Sequence, residues 1–561
     1  MPSAGSQRLE SDSNSPERPW RRLKQFGLIV LCAAWVALGL VGHDPWKTDD
    51  ATSIGVVWGV AQSGDWLAPT LAGEPFVTRP PLVYVTAAVF GKLLSPWLPF
   101  HDAARVAVGG ALALVLLLIG ATARELYGPG MRWLPGLLLV GTVGLWDYAH
   151  QLSGEIGLLA GLALAFYGFA LALRRPVPGG IALGLGIAIA FLSRGFLGPL
   201  WITLTAVVYP LVLPTCRGRS YARAMGVALA VALPLCAAWP LALAQREPAQ
   251  LQAWWAAQHL SDYFAPLGNL SAADPLYILK NLPWLAWPAL PLVLWTLWTR
   301  GRGFHGGLAT PGVLIPGVFA AVMLVCIVVM SDPRAIYTMP LMLPLCLLAS
   351  LEVDSLPRGG SGALDWFGIL TFGLLAALVW WAWADSLTGG IPPTVARVFR
   401  DTEPGFRPPL QWPAFGVSVF LTLLWFALVR PARRTNSRAV LNWAAGMMLV
   451  WGMYMTIWLP YLDSRRSYRT VAEVLAQQLP PGACVASDRV GEPQRALLYY
   501  FGNIRTVREK AHPTHSCDFL LVQYGRHDGE NVLRDGWQIV WHGARRGDDT
   551  ERFVLYQKVP T

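Results

Sequence analysis

Residues 26–53 read FGLIVLCAAWVALGLVGHDPWKTDDATS. The part from 26 to 42 carries no charge. It approaches the roughly 20 residues a helix needs to cross bilayer hydrocarbon. Three carboxylates, Asp44, Asp49 and Asp50, then follow within seven residues. No small-x-small cleavage site leads from the run into a soluble chain, and further apolar runs follow. We therefore expect a retained transmembrane helix rather than a signal peptide.

Composition extends this reading to the whole chain. Of 561 residues, 54% are hydrophobic and 14% charged, against roughly 25% charged in soluble domains. The 27 tryptophans suit a chain with many membrane–water interfaces. The expected fold class is a polytopic α-helical membrane protein with a small C-terminal α/β domain. About thirteen apolar stretches are candidate spans: 26–42, 104–122, 131–147, 154–173, 179–193, 196–213, 224–243, 283–299, 309–330, 335–350, 363–384, 412–429 and 439–459. The basic balance, 44 Lys+Arg against 34 Asp+Glu, needs no nucleic-acid partner, because arginines collect in cytoplasmic loops. RPWRRLK before the first run sets the N-terminus inside. Alternation then sets every arginine cluster inside and residues 460–561 outside, which in a bacterium is the periplasm. The expected division is a disordered cytoplasmic N-terminus over 1–22, a transmembrane part over 23–459 and a periplasmic α/β domain over 460–561.

Two outward loops are long, 43–103 and 244–282, and long structured loops on one face suggest a site there. Within the first, ATSIGVVWGVAQSGDW and PPLVYVTAAVFGKLL read as interfacial helices lying along the membrane. In the C-terminal part, YRTVAEVLAQQL and EPQRALLYYFG read as helices. ACVASDR, CDFLLVQY, WQIVWHG and RFVLYQKV read as strands. Cys32, Cys236, Cys326 and Cys346 lie in apolar runs, where cysteine packs as a small hydrophobe. In an oxidising compartment Cys484 and Cys517 either form a disulfide or stay unpaired on their strands; the sequence leaves both open.

The outward loops hold the candidate groups. Asp49 and Asp50 are adjacent and cannot both point one way on a helix, so at most one does chemistry. Arg79 precedes two prolines; it is either a snorkelling interfacial arginine or a phosphate ligand, a role guanidinium forks suit. Glu155 opens an apolar run, where the helix dipole alone favours an acid, yet an ionisable group at a span's end is also a site candidate. His259 follows an amphipathic segment, and Arg334 and Tyr337 lie between two apolar runs.

Several segments together resemble a known family. They are PWKTDDATSIGVVWGVAQSGDWLAPTLAGEPFVTRPPLVYV, SGEIGLLAG, FLSRGFLGP, AQREPAQLQAWWAAQHLSDYF with NLPW, and RAIYTMPLMLPL. In this order they are similar to the bacterial 4-amino-4-deoxy-L-arabinose transferases that modify lipid A, within the GT-C membrane glycosyltransferases that include the protein O-mannosyltransferases. The resemblance covers residues 20–350 or so. It implies an inverting inner-membrane glycosyltransferase. The donor would be an undecaprenyl-phosphate sugar, and the acceptor lipid A or another envelope glycan or protein at the periplasmic face. It implies catalytic roles for Asp49 and Glu155, and donor phosphate binding by Arg79, Arg334 and Tyr337. Asp50, Tyr84 and His259 would contact substrate. The family can bind a divalent metal through its histidine and an acid before its basic residue. Here that acid is Thr78, so no metal is expected. Glu155 likewise stands where the family usually has Asp. A protein O-glycosyltransferase of the same fold, a lipid-linked sugar flippase and an inert envelope scaffold are the competing readings.

Overall fold

The computed structural model describes residues 17–76, 78–146, 148–258, 276–330, 334–388, 409–429, 436–509, 517–526, 528, 534–545, 548 and 550–559. His259 and Asp147 therefore lie outside the described residues, as does most of the segment 1–22. Helix α1, Glu17–Ala37, starts inside that segment, where Glu17 and the arginines at 18, 21 and 22 are good helix formers.

Seven described helices are long and apolar enough to cross a membrane, and an eighth is a bent pair. The protein is a multi-pass membrane protein. In chain order the first elements are α2 (Asp49–Ser63), α3 (Leu82–Leu94), α4 (Phe100–Tyr127), α5 (Leu134–Val140), α6 (Gly154–Ala172), α7 (Pro176–Arg194), α8 (Leu197–Val212), α9 (Arg219–Arg246) and α10 (Pro248–Ala256). Then come α11 (Tyr277–Leu285), α12 (Ala289–Gly301), α13 (Pro311–Val328), α14 (Met342–Leu351), α15 (Arg358–Thr388), α16 (Trp412–Val429), α17 (Asn436–Tyr454) and α18 (Leu459–Arg466). The thirteen expected stretches all contain helix, but not all are single spans. The third is only the seven-residue α5 between short 3₁₀ turns. The eighth is divided between α11 and α12, and the last between α17 and α18, which bend by 61°. Hydropathy counts apolar length and is blind to breaks buried inside a bundle.

The centre of the bundle is α6, nearly all of whose residues are buried. It runs antiparallel to α7 at backbone contact. A Cβ on Gly161 would lie 2.6 Å from the Ala190 amide nitrogen, and one on Gly186 2.5 Å from that of Ala165. Small residues allow this approach where no hydrophobic force drives helices together in lipid. The packing sets the first turn of α6 beside the last turn of α7, which positions Glu155 against Arg194.

The C-terminal domain carries α19 (Arg469–Gln477), α20 (Glu492–Gly502) and a five-stranded sheet. The sheet is built from β3 (Val485–Asp488), β4 (Thr506–Arg508), β5 (Phe519–Gly525), β6 (Trp537–Gly543) and β7 (Glu551–Lys558), after a small hairpin of β1 (Thr70–Leu71) and β2 (Glu74–Pro75). Its order is β4-β3-β5-β7-β6, with β4, β3 and β5 parallel and β7 antiparallel to both neighbours. The four expected strands and both helices are present, and β4 is an addition. Cys484 and Cys517 form a disulfide between the starts of adjacent β3 and β5.

Both expected helices of the first loop exist, but α2 does not lie open along a surface. Nine of its fifteen residues are buried, because α20 of the C-terminal domain packs against it. A Cβ on Gly55 would come within 2.5 Å of the Ala496 side chain, and one on Gly59 within 2.4 Å of the Thr70 carbonyl oxygen. Its moderate polarity suits a helix sandwiched between bundle and domain. Gly64, at φ 70°, ends it in a left-handed C-cap.

Candidate active site

The acids of the first loop separate by direction. Asp44 accepts from Arg469 Nε at 3.0 Å and from Ser467 Oγ at 2.6 Å. Lys47 pairs with Glu551, which also accepts from the Tyr468 hydroxyl at 2.5 Å. Glu74 accepts from Arg495 at 3.1 Å and from Arg508 Nε at 2.6 Å. These contacts clamp the C-terminal domain to the loop.

Asp50 turns into the bundle. Arg105 of α4 donates to it from Nη2 at 2.8 Å and Nε at 3.3 Å, and the Leu152 amide donates at 3.0 Å. Burial alone would raise the Asp50 carboxyl, but the Arg105 charge and hydrogen bonds hold it below the ordinary value. Arg105 also donates to the His43 and Asp44 carbonyls, so this buried pair pins the loop backbone. Asp50 was expected to touch substrate. It does not reach the cavity, because a carboxylate this buried needs the cation beneath it.

Asp49 faces the other way, into a cavity of about 380 Å³. Thr48, Asp49, Thr52, Phe76, Thr78, Arg79, Arg194, Arg334, Tyr337, Glu492 and Pro493 line it. Arg79 Nη2 donates to Asp49 at 3.2 Å. Burial opposes the Arg79 charge, but Tyr84, Glu155, Asp49 and Tyr337 outweigh it and keep the guanidinium cationic. Tyr84, fully buried, lies close enough to Arg79 to favour its charge and is not on the cavity wall. Arg194 Nε donates to Glu155 at 2.5 Å, and its Nη2 to the Tyr337 hydroxyl at 3.2 Å. Glu155 is 1% exposed and stands behind Arg194, not on the wall; its second oxygen has no hydrogen-bond partner among the described residues. The one-methylene difference from Asp thus comes with a close carboxylate–guanidinium pair.

The sequence reading therefore brings Asp49, Arg79, Arg334 and Tyr337 to one wall, from segments up to 288 positions apart (337 minus 49). It missed Arg194, Gln258 and Glu492. Arg194 carried a signal: with the assigned orientation it is a lone outward arginine against the positive-inside tendency. Gln258 donates to the Thr78 carbonyl at 3.3 Å and packs on Gly195, whose φ is 73° and where a Cβ would come 2.3 Å from the Gln258 amide oxygen. It ties the two arginine-bearing turns together. Thr78 supplies no carboxylate for a metal, and the described residues include no group of three or more His, Cys, Asp or Glu that could hold one.

Beside the cavity runs an apolar groove of about 400 Å³, lined by Phe191, Phe196, Pro240, Leu251, Trp254 and Trp255 among others. Phe191 and Phe196 flank Arg194 in sequence, so the end of α7 and the turn after it deliver a cation to the polar cavity and two rings to the groove.

A helical membrane bundle, a first loop of two helices and a C-terminal domain closing over a charged cavity define the GT-C class of membrane glycosyltransferase fold. ArnT from Cupriavidus metallidurans bound to undecaprenyl phosphate superposes with a TM-score of 0.68 at 16% identity, over 96% of this chain and 98% of that one. The archaeal oligosaccharyltransferase AglB from Archaeoglobus fulgidus, in complex with an inhibitory peptide and a dolichol-phosphate, gives 0.51 at 10% identity, over 91% and 70%. No protein-family model matches the sequence. Within the class, the chain is similar in sequence to undecaprenyl phosphate-alpha-4-amino-4-deoxy-L-arabinose arabinosyl transferases, as the ordered motifs imply. It is 28% identical over 373 residues to that of Pseudomonas aeruginosa (strain UCBPP-PA14), covering 63% of this chain and 64% of the relative. It is 28% identical over 303 residues to that of Edwardsiella ictaluri, covering 50% and 51%. The chain thus matches less than two thirds of these relatives' length.

Proposed function

We propose that the protein is an inverting glycosyltransferase of the bacterial inner membrane. It takes a sugar from undecaprenyl phosphate and passes it to a hydroxyl of lipid A or another envelope acceptor on the periplasmic side. The names of its sequence relatives support the donor class. The arginine-rich turns support a cytoplasmic N-terminus and a periplasmic C-terminal domain.

The observation that carries this reading is the pairing of Asp49 with Arg79 on a wall that also holds Arg194, Arg334 and Tyr337. A polyprenyl-phosphate sugar brings its own leaving group, so the reaction needs a base and a cationic cradle. Asp49 accepts the proton of the acceptor hydroxyl. The freed oxygen attacks the anomeric carbon as the bond to phosphate oxygen breaks. Polyprenyl phosphate leaves with the electron pair, its charge met by the three guanidiniums and the tyrosine hydroxyl. A single displacement inverts the anomeric centre. Glu155 holds Arg194 in place. The apolar groove beside Arg194 suits the isoprenoid tail. A flippase would be expected to bind near the bilayer midplane, whereas this cavity is bounded by Glu492 and Pro493 of the C-terminal domain.

Purified protein should transfer sugar from a polyprenyl-phosphate donor to an envelope acceptor, and Asp49→Asn should lower that rate by about 10²–10⁴-fold. A panel of donors and acceptors that yields no product with the wild type would refute the proposal.

A further inference from the structure

Glu492 does not belong to the membrane part, yet it stands on the cavity wall. It opens α20 of the C-terminal domain and lines the cavity with Pro493. It is exposed and makes no hydrogen bond or ion pair with any described residue, although three arginines share its wall. The other acids around the site are committed: Asp49 to Arg79, Glu155 to Arg194, and Asp50 to Arg105.

We infer that Glu492 recognises the transferred sugar, so that the C-terminal domain forms the sugar-binding wall of the active site. This rests on the glycosyltransferase reading above. A carboxylate accepts hydrogen bonds and cannot donate them. Its partner must carry donors, as a polyhydroxylated ring does and an ionised phosphate ester does not. Like charge also keeps the donor phosphate away from Glu492 and toward Arg79, Arg194 and Arg334. The donor is thereby oriented with its phosphate on the bundle side and its ring hydroxyls on the domain side. The wall itself is held firmly. α20 meets α2 at Gly55 and Ala496, six residues along from Asp49 and four from Glu492. Arg495, on the next turn of α20, is tied to Glu74 of the first loop at 3.1 Å. The helix that carries Glu492 is thus fixed relative to Asp49, as the frame of a group that selects a ring must be.

The test measures transfer by the full-length protein in detergent or nanodiscs, with donor and acceptor concentrations varied separately. Glu492→Ala should raise the donor KM about tenfold or more, the effect of losing a charged hydrogen-bond partner, with kcat within about threefold and the acceptor KM unchanged. Glu492→Gln keeps one acceptor oxygen and should recover part of the affinity. The phosphate end is the control: undecaprenyl phosphate without sugar should inhibit wild type and Glu492→Ala equally. A donor KM within twofold of wild type in Glu492→Ala overturns the inference, as does a shift confined to the acceptor or to inhibition by the bare lipid phosphate. If the wild type transfers nothing, the underlying reading fails and this one falls with it.

Discussion

Asp49 and Asp50 are neighbours in the chain and opposites in surroundings. Asp50 belongs to a buried seam where each carboxylate oxygen has a donor: Arg105 twice, the Leu152 amide and the Trp46 amide. Asp49 belongs to the cavity and, among the described residues, has one hydrogen bond, accepted from Arg79. A saturated buried carboxylate cannot take a proton from a substrate without stranding its cation. One with spare lone pairs and an open side can. The same contrast separates the domain seam, rich in closed ion pairs, from the cavity wall, where Glu492 stands uncommitted.

The contrast can be broken by mutation. The largest effect should be on rate: Asp49→Asn should cost the 10²–10⁴-fold loss given above while the thermal unfolding midpoint barely moves. Arg105→Met should do the reverse. It leaves Asp50 buried without its partner, at a cost of about 3–5 kcal/mol, read as loss of folded protein in detergent melts. Equal melting of the two variants would erase the distinction. Glu155→Gln should be intermediate. It loosens Arg194 and should raise the donor KM about tenfold, with a smaller change in kcat.

The smallest effect comes from acid. Burial alone would raise Asp44, Glu74 and Glu551, yet their arginine, lysine, hydroxyl and amide partners hold each below its ordinary value. Groups depressed in the folded state stabilise it fully above their unfolded pKa and lose that contribution as pH falls through the folded one. The carboxylate contribution to the seam should therefore hold through neutral pH and be lost below roughly pH 4. Hydrogen exchange in α19 and α20 should rise there. Each step should be modest, because Arg469 and Arg508 are about half exposed and solvent screens them.

Local pattern made much of this legible. Apolar runs marked the bundle, and the residues just outside them, Asp49, Arg79, Arg334 and Tyr337, marked the wall. Turns at the ends of spans are forced to one membrane face, so chemistry-bearing residues there have few other places to go. What stayed hidden depends on pairing across long separations. Arg105 could not be matched to Asp50 from spacing, since it sits in the first turns of an apolar helix 55 positions away. The burial of α2 needed knowledge that α20 covers it, and Glu492 lies in what read as an ordinary helix start of a separate domain. Breaks such as those at α5 and between α17 and α18 were invisible to a scale that averages hydropathy.

The clamp between Asp44 and Arg469 spans 425 residues, which sets the order of events in the cell. The first loop emerges long before the residues that neutralise it. At about 5–20 residues per second, synthesis leaves Asp44, Lys47 and Glu74 waiting for roughly 20–100 s. During that interval the loop can settle only against the bundle, through Arg105, the Leu152 amide and Arg246, and the wall bearing Glu492 does not exist. The cavity is thus among the last parts of the molecule to be completed, and a chain stalled before the C-terminal domain would hold a finished bundle with an open, unselective mouth.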